Sequence, residues 1–368
     1  MFTVMRVGLQ SVVFLGWLLG SVALPAADRI LLRNLEILRD CEVVSFDADG
    51  LILAAERSSG GKLVTWDEVE TLQLTVKQAE ANQLLAEIGP ALFAIQRRLT
   101  TGDDEALRAP AEQLWPLFRE RQGKSACLVA LALMWGRLAH GAREQAVEPW
   151  FKAYDLLRNR ALKLSEIPGK RKVLLDAATA IHWELEPVWF DTAAAKKALP
   201  LVDKCVAQMT EPVPEGAKLY LASLALAAGE MTTAEALLDE TYQQAKSKTL
   251  QQILLLQQAC LLGKPAASRS EFEATLASVP KDMQPLALYW LGQSYLVGAA
   301  DSTQPEEALV MLLRIPALHA RHSPDLAAAA LFTTLEHYRQ DRKLTARLQQ
   351  ELVEKFPFTF HGRKLRGK

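Results

Sequence analysis

A mainly α fold, in which antiparallel helix pairs stack into an α-solenoid behind a small all-β module, is predicted by three observations. Half of the 368 residues are apolar, while only 7% are aromatic and 23% charged, an Ala- and Leu-rich mixture that folds and favours helix over strand. From Val76 onward the apolar residues recur with the 3.6-residue period of a helix, whereas before it they follow the two-residue period of strands. The second helices of successive pairs begin near 143, 189, 231, 268, 305 and 341, settling to a spacing of 36 or 37 residues. Hairpins repeated at such a spacing bury their apolar faces only by stacking.

Residues 1–27 stand apart. Met1–Arg6 carries one positive charge, Val7–Leu24 carries none and is mostly apolar, and small residues follow before the first acid at Asp28. This is the order of a secretory signal peptide, with cleavage expected after Ala23, Ala26 or Ala27. The alternative is an uncleaved anchor, because about 18–20 uncharged residues just span a bilayer. Either way an exported chain is expected, in the periplasm or cell envelope, touching membrane only if the segment stays uncleaved.

Residues 28–75 form the expected β module. Short runs rich in Val, Leu and Ile at Ile30–Leu38, Glu42–Phe46, Leu51–Glu56 and Lys62–Trp66 are followed by a closing strand at Thr71–Leu74. Asp47-Ala48-Asp49-Gly50 and Ser58-Ser59-Gly60-Gly61 supply the hairpin turns, since Gly and Asp tolerate the positive φ required there. The first of these resembles the opening of a calcium loop but lacks the third carboxylate and the distal Glu. Ser59-Gly60-Gly61-Lys62 spells S-x-x-K, yet on a Gly-rich hairpin the Lys is not placed beneath the Ser. The excess of acids in this module, and a net charge of −1 for the whole chain, speak against nucleic acid as a partner.

Residues 76–356 carry the helical array. Helices are predicted near 76–99, 104–120, 124–140, 143–159, 169–185, 189–208, 216–228, 231–247, 249–262, 268–278, 284–298, 305–315, 324–339 and 341–356. Pro90, Pro110 and Pro116 predict kinks or breaks, and Pro316 predicts a helix end. Residues 357–368, with His361, Arg363, Lys364, Arg366 and Lys368, read as a basic, frayed tail.

The most legible hairpin runs from Gln284 to Pro316. Leu288, Leu291, Gly292 and Tyr295 share one helical face, and Ala308, Met311, Leu312 and Ile315 share another. With the closing Pro316 this pattern resembles a tetratricopeptide (TPR) repeat, although Gly298–Pro305 makes the turn several residues too long. The resemblance returns at Ala222, Ala225, Gly229, Ala234 and Leu238, and more faintly at Gly141, Ala146, Trp150 and Ala153. The small β module is similar, loosely, to the SH3-like or Sm-like barrels that precede helical repeats in some exported bacterial proteins. The TPR resemblance implies close helix crossings at the small residues and recognition of a protein or peptide on a concave face lined by the first helix of each pair. Carried onto this chain, the exposed positions of that face are Leu219, Ser223, Leu226, Tyr289, Gln293 and Leu296. They are apolar or mildly polar, which suits an apolar or amphipathic segment.

Catalytic, metal and cofactor chemistry find little purchase. Of six histidines only His319 and His322 are close in sequence, with no carboxylate at ligand spacing. His182-Trp183-Glu184 lacks the P-C-x-x-C that zinc deaminases require, and Gly292-Gln293-Ser294 lacks the second Gly of a nucleophile elbow. Cys41, Cys127, Cys205 and Cys260 lie far apart and read as small buried residues, with a disulfide open to an exported chain. Arg158, Arg160, Lys163, Lys170, Arg171 and Lys172 form a basic loop, read as a solvated turn. The expectation is a non-catalytic interaction scaffold with no cofactor and no metal. A membrane-tethered assembly subunit that self-associates, or an enzyme, are the alternatives.

Overall fold

A computed structural model describes residues 28–54, 61–169, 172–176, 179–262, 276, 279–297 and 305–367. The β module contains strands β1 (Asp28–Leu32), β2 (Ile37–Cys41), β3 (Val43–Asp47), β4 (Gly50–Leu53), β5 (Lys62–Val64) and β6 (Val69–Gln73). They make two antiparallel three-stranded sheets, ordered β2-β1-β6 and β3-β4-β5. The run expected as one strand over Ile30–Leu38 is divided by a turn, in which Leu35 takes a positive φ of 70° and donates its amide to the Leu32 carbonyl. Asp28 joins the two sheets: its carboxylate accepts from the amide of Val43 and from both the amide and hydroxyl of Thr75, at 2.8–2.9 Å. Burial works against its charge, but those donors hold its carboxyl below the usual range. The Asp47–Gly50 turn forms as expected. The Asp49 amide donates to Asp47 Oδ1 at 2.8 Å, and Gly50 has φ 146° with a Cβ there falling 2.2 Å from the Val64 carbonyl oxygen. The second expected turn, at Ser58–Gly61, falls largely outside the described residues.

Thirteen helices follow among the described residues: α1 (Gln78–Thr101), α2 (Arg108–Phe118), α3 (Lys124–Ala139), α4 (Arg143–Arg158), α5 (Thr192–Ala207), α6 (Glu215–Ala228), α7 (Met231–Gln244), α8 (Lys248–Leu262), α9 (Gln284–Val297), α10 (Pro305–Leu318), α11 (Pro324–His337), α12 (Arg342–Lys355) and α13 (Phe360–Arg366). From α1 to α12 each packs on the next, so the architecture is a stack of consecutive helix pairs behind a small β module. The helices that open a pair are central: in α3 every residue from Ser125 to Gly136 is buried, and in α11 every residue from Leu326 to Leu331. Helices α7 and α12, which close a pair, bury only narrow stripes, Ala234, Leu238 and Thr241 in one and Leu348 and Leu352 in the other. The packing expected at Gly292 is present, because a Cβ there would lie 2.6 Å from Leu312 Cγ and 3.3 Å from the Ala308 carbonyl oxygen. The β module is seated on the array by Arg121, whose Nη1 reaches Asp47 at 3.1 Å and Asp49 at 3.4 Å.

Several expectations are corrected. Pro90 does not break α1, because it sits on the exposed side, where the carbonyl it leaves unpaired at Ala86 faces solvent. Pro110 occupies the first turn of α2, where amides have no intrahelical partner in any case. Helix α10 runs through Pro316 to Leu318, although Pro316 has no amide to give the Leu312 carbonyl. Residues 357–367 are no frayed tail: Thr359 caps α13 by accepting from the Gly362 amide, and His361 and Gly362 are buried. Most consequential, no α-helix occupies 169–185 among the described residues. That stretch is irregular, with an isolated antiparallel bridge between Leu175 and His182. The helix predicted at 268–278 lies outside the described residues apart from Leu276.

Candidate functional site

The segment 179–191 takes the place that the first helix of the second pair would have filled. Each neighbour pins it by backbone groups that a helix would have satisfied internally. Trp150 Nε1 on α4 donates to the Ala180 carbonyl at 3.3 Å, and the Gly216 amide at the start of α6 donates to the Thr179 carbonyl at 2.9 Å. Tyr220 on α6 accepts from the His182 amide at 3.1 Å and donates to the Leu185 carbonyl at 2.5 Å. Fully enclosed, this phenol is pushed far above its ordinary range by desolvation. Phe190 closes the segment against two other helices, with ring centroids 6.4 Å from Tyr289 on α9 and 6.3 and 4.8 Å from Phe360 and His361 of α13.

Beneath this segment lies a buried charge cluster. Arg143 opens α4 with its side chain 4% exposed. Its Nη1 donates to the Glu184 carbonyl at 2.9 Å and to Asp325 Oδ2 at 3.0 Å. Its Nη2 donates to the Glu186 carbonyl at 3.0 Å and to Glu186 Oε2 at 3.2 Å. Burial disfavours the guanidinium charge, but Asp325, Glu186 and Glu144 outweigh it and hold the group more firmly protonated than usual. Glu186 is raised by burial, with Arg143 and a hydrogen bond to Ser323 opposing the rise. Neighbouring Glu144 accepts from the amides of Phe190 and Asp191 at 3.4 and 3.3 Å. Asp325 opens α11, so this cluster bonds the start of the array to its end. Arg363 of α13 adds a second closure, donating to the carbonyls of His140 and Gly141 at 2.5 and 2.9 Å, where α3 hands over to α4.

The six residues predicted for an open concave face are distributed differently. Leu219 and Ser223 on α6 and Tyr289 on α9 are buried, which corrects their expected exposure. Ser223 already accepts a hydrogen bond from Gln257 Nε2 of α8 at 2.8 Å, and Tyr289 packs on Phe190. Leu226, Gln293 and Leu296 keep part of their surface. The cover comes from neighbouring elements: Gln257 of α8 lies on Ser223, and Phe190 of the segment 179–191 lies on Tyr289. Nothing in the order of residues marks Arg143, Glu186 or Asp325 for this role. A first-turn Arg-Glu pair and an acid after Pro324 are common at solvated helix starts, and only the return of the chain buries them.

Of the other motifs, His182 is buried edge-on to Trp150, with ring centroids 4.8 Å apart, and its Nδ1 accepts from the Glu184 amide. In the basic loop Arg158 bonds Asp155 and the Pro212 carbonyl, Lys163 faces Glu166, and Lys170 and Arg171 lie outside the described residues. None of the four cysteines forms a disulfide. Among the described residues no group of three or more His, Cys, Asp or Glu could hold a metal ion. Nor is any described helix long and apolar enough to cross a membrane; the segment 1–27 lies outside those residues. Comparison of the chain with protein-family models, with curated proteins and with solved structures finds no match.

Proposed function

We propose that this chain is a non-catalytic protein-interaction scaffold of the bacterial cell envelope, built from TPR-like hairpins and exported by a cleaved N-terminal signal. The observation that carries the reading is the packing of consecutive pairs around small residues. Gly292 against Ala308 and Leu312 has the close crossing that the repeat pattern calls for, and such stacks present long surfaces for recognition rather than a single reactive centre. The charge-then-apolar-then-small order of residues 1–27 supports export. The partner is a protein or peptide, and the accessible part of the inner face, Leu226, Gln293 and Leu296, is where an apolar or amphipathic segment would lie.

Cross-linking and capture from envelope extract test this, comparing the wild type with a Leu226→Asp, Gln293→Arg variant of unchanged circular dichroism. A partner lost by the variant supports the reading, whereas one retained equally by both removes the inner face from it. Sequencing the N-terminus of the fractionated chain tests export: a start between Leu24 and Asp28 in the soluble envelope fraction is expected. The uncharged stretch Val7–Leu24 favours a second reading, a tethered subunit that self-associates. Intact Met1 in the membrane fraction, with the chain cross-linking to itself, would support that instead.

A further inference from the structure

Helices α2, α4 and α5 enclose a cleft of about 250 Å³ that lies apart from the inner face. Its walls are both apolar and charged. Trp115, Phe151, Leu201 and Met209 supply the apolar part. The charged side chains that line it are Arg119, Lys152 and Lys204 on one side of the balance and Glu120, Glu148 and Asp155 on the other. Five of the six already have partners. Arg119 is bonded to Glu148, and Lys204 reaches Glu120 at 3.3 Å. Asp155 accepts from the Thr210 amide at 3.0 Å and pairs with Arg158 at 3.3 Å.

That leaves Lys152, on the middle turn of α4, as the charged group of the lining with no hydrogen bond or ion pair among the described residues. It is half-buried, and burial lowers its ammonium pKa below the ordinary lysine value despite the nearby Glu120 and Asp155. A half-buried ammonium that no carboxylate bonds directly, set beside an apolar wall, can take an anion carrying an apolar body. The thiol of Cys205, also in the wall, is pushed up to about 12, chiefly by burial; it therefore stays protonated and adds neither charge nor a nucleophile at neutral pH. The cavity falls below the ~300–1,000 Å³ typical of larger ligands, so the occupant is small.

We propose that the α2–α4–α5 cleft is a binding site for a small monocarboxylic acid, its carboxylate on Lys152 and its aliphatic or aromatic body against Trp115, Phe151 and Met209. The site is independent of the inner face and of the scaffold reading. Calorimetric titration of the full chain at neutral pH with hexanoate and with phenylacetate tests it, beside hexanol and phenethylamine as uncharged and cationic counterparts. Binding of at least one acid is expected, with neither counterpart binding. Lys152→Met should weaken that acid at least tenfold without changing the melting temperature, and Lys152→Arg should retain it. A second measurement needs no variant: the bound acid should shield Lys152 of the wild type from acetylation, read by peptide mass spectrometry, while exposed Lys163 reacts unchanged. No binding of either acid, equal binding of the counterparts, or undiminished binding by a folded Lys152→Met chain would overturn the proposal.

Discussion

Replacing Arg143 by Met removes the one cation that, among the described residues, pairs with Glu186 and Asp325 across the closure between α4 and α11. Methionine keeps most of the stem's volume, so the loss is electrostatic rather than a cavity. Four acceptors lose their donor: the carbonyls of Glu184 and Glu186 and the carboxylates of Glu186 and Asp325. Asp325 remains 13% exposed and regains some water, but Glu186 is 2% exposed and does not. Breaking a buried pair from one side costs about 3–5 kcal/mol, a large share of the ~5–15 kcal/mol that holds a typical protein folded. The deficit should depend on pH. Glu186 is already raised above its unfolded value, so between the two values the folded state binds more protons and stability falls as pH rises. Without Arg143 the rise is larger, and the window in which acid restores stability extends upward. Urea unfolding at pH 7.5 and pH 5 would therefore show a midpoint deficit for Arg143→Met that shrinks at the lower pH. Adding Glu186→Gln should recover part of it at pH 7.5. A loss below about 1 kcal/mol, or one that does not change with pH, would refute the view that Arg143 is the required counter-ion of a buried cluster.

Three further outcomes are expected. Gly292→Leu should destabilise by about 1–3 kcal/mol through overpacking against Leu312 and Ala308, seen as a lower denaturant midpoint, whereas Val310→Leu on the exposed face of α10 should leave it unchanged. Arg363→Ala should lower the melting temperature and speed deuterium exchange at the start of α4, because His140 and Gly141 lose the donor that caps their carbonyls; unchanged exchange there would mean that α13 does not hold the array closed. His361 is buried with neither ring nitrogen bonded among the described residues, and burial, with Lys364 adding to it, lowers its pKa to about 4. Its folded value lies below its unfolded one, so stability should be level above about pH 6.5 and fall toward pH 4, by up to roughly 3 kcal/mol. His361→Phe should flatten that part of the profile, and an unchanged acid limb would assign the loss to other groups.

Features that depend on near neighbours along the chain are legible in the residues alone. The change of apolar period at Val76, the Asp47–Gly50 turn, the starts of α3, α4 and α8 and the small residues at Gly292 and Ala308 are local patterns with local causes. A helix needs its own face and its caps, and a tight turn needs a residue that takes positive φ. Local pattern failed where distant groups compete for the backbone. Residues 169–185 have acceptable helical spacing, yet Trp150, Arg143, Tyr220 and Gly216 offer their carbonyls and amides partners that a helix would have used up. In the same way 360–366 reads as a basic tail until Arg363 finds the open carbonyls of His140 and Gly141. That the array curves back on itself is visible only in the folded chain, because a contact between residues 143 and 325 has no trace in the spacing of either. Packing between elements also turns Leu219, Ser223 and Tyr289 from an expected binding face into core, with Gln257 on Ser223 and Phe190 on Tyr289, and leaves Lys152, an ordinary lysine in the sequence, half-buried in a cleft with no hydrogen bond or ion pair among the described residues.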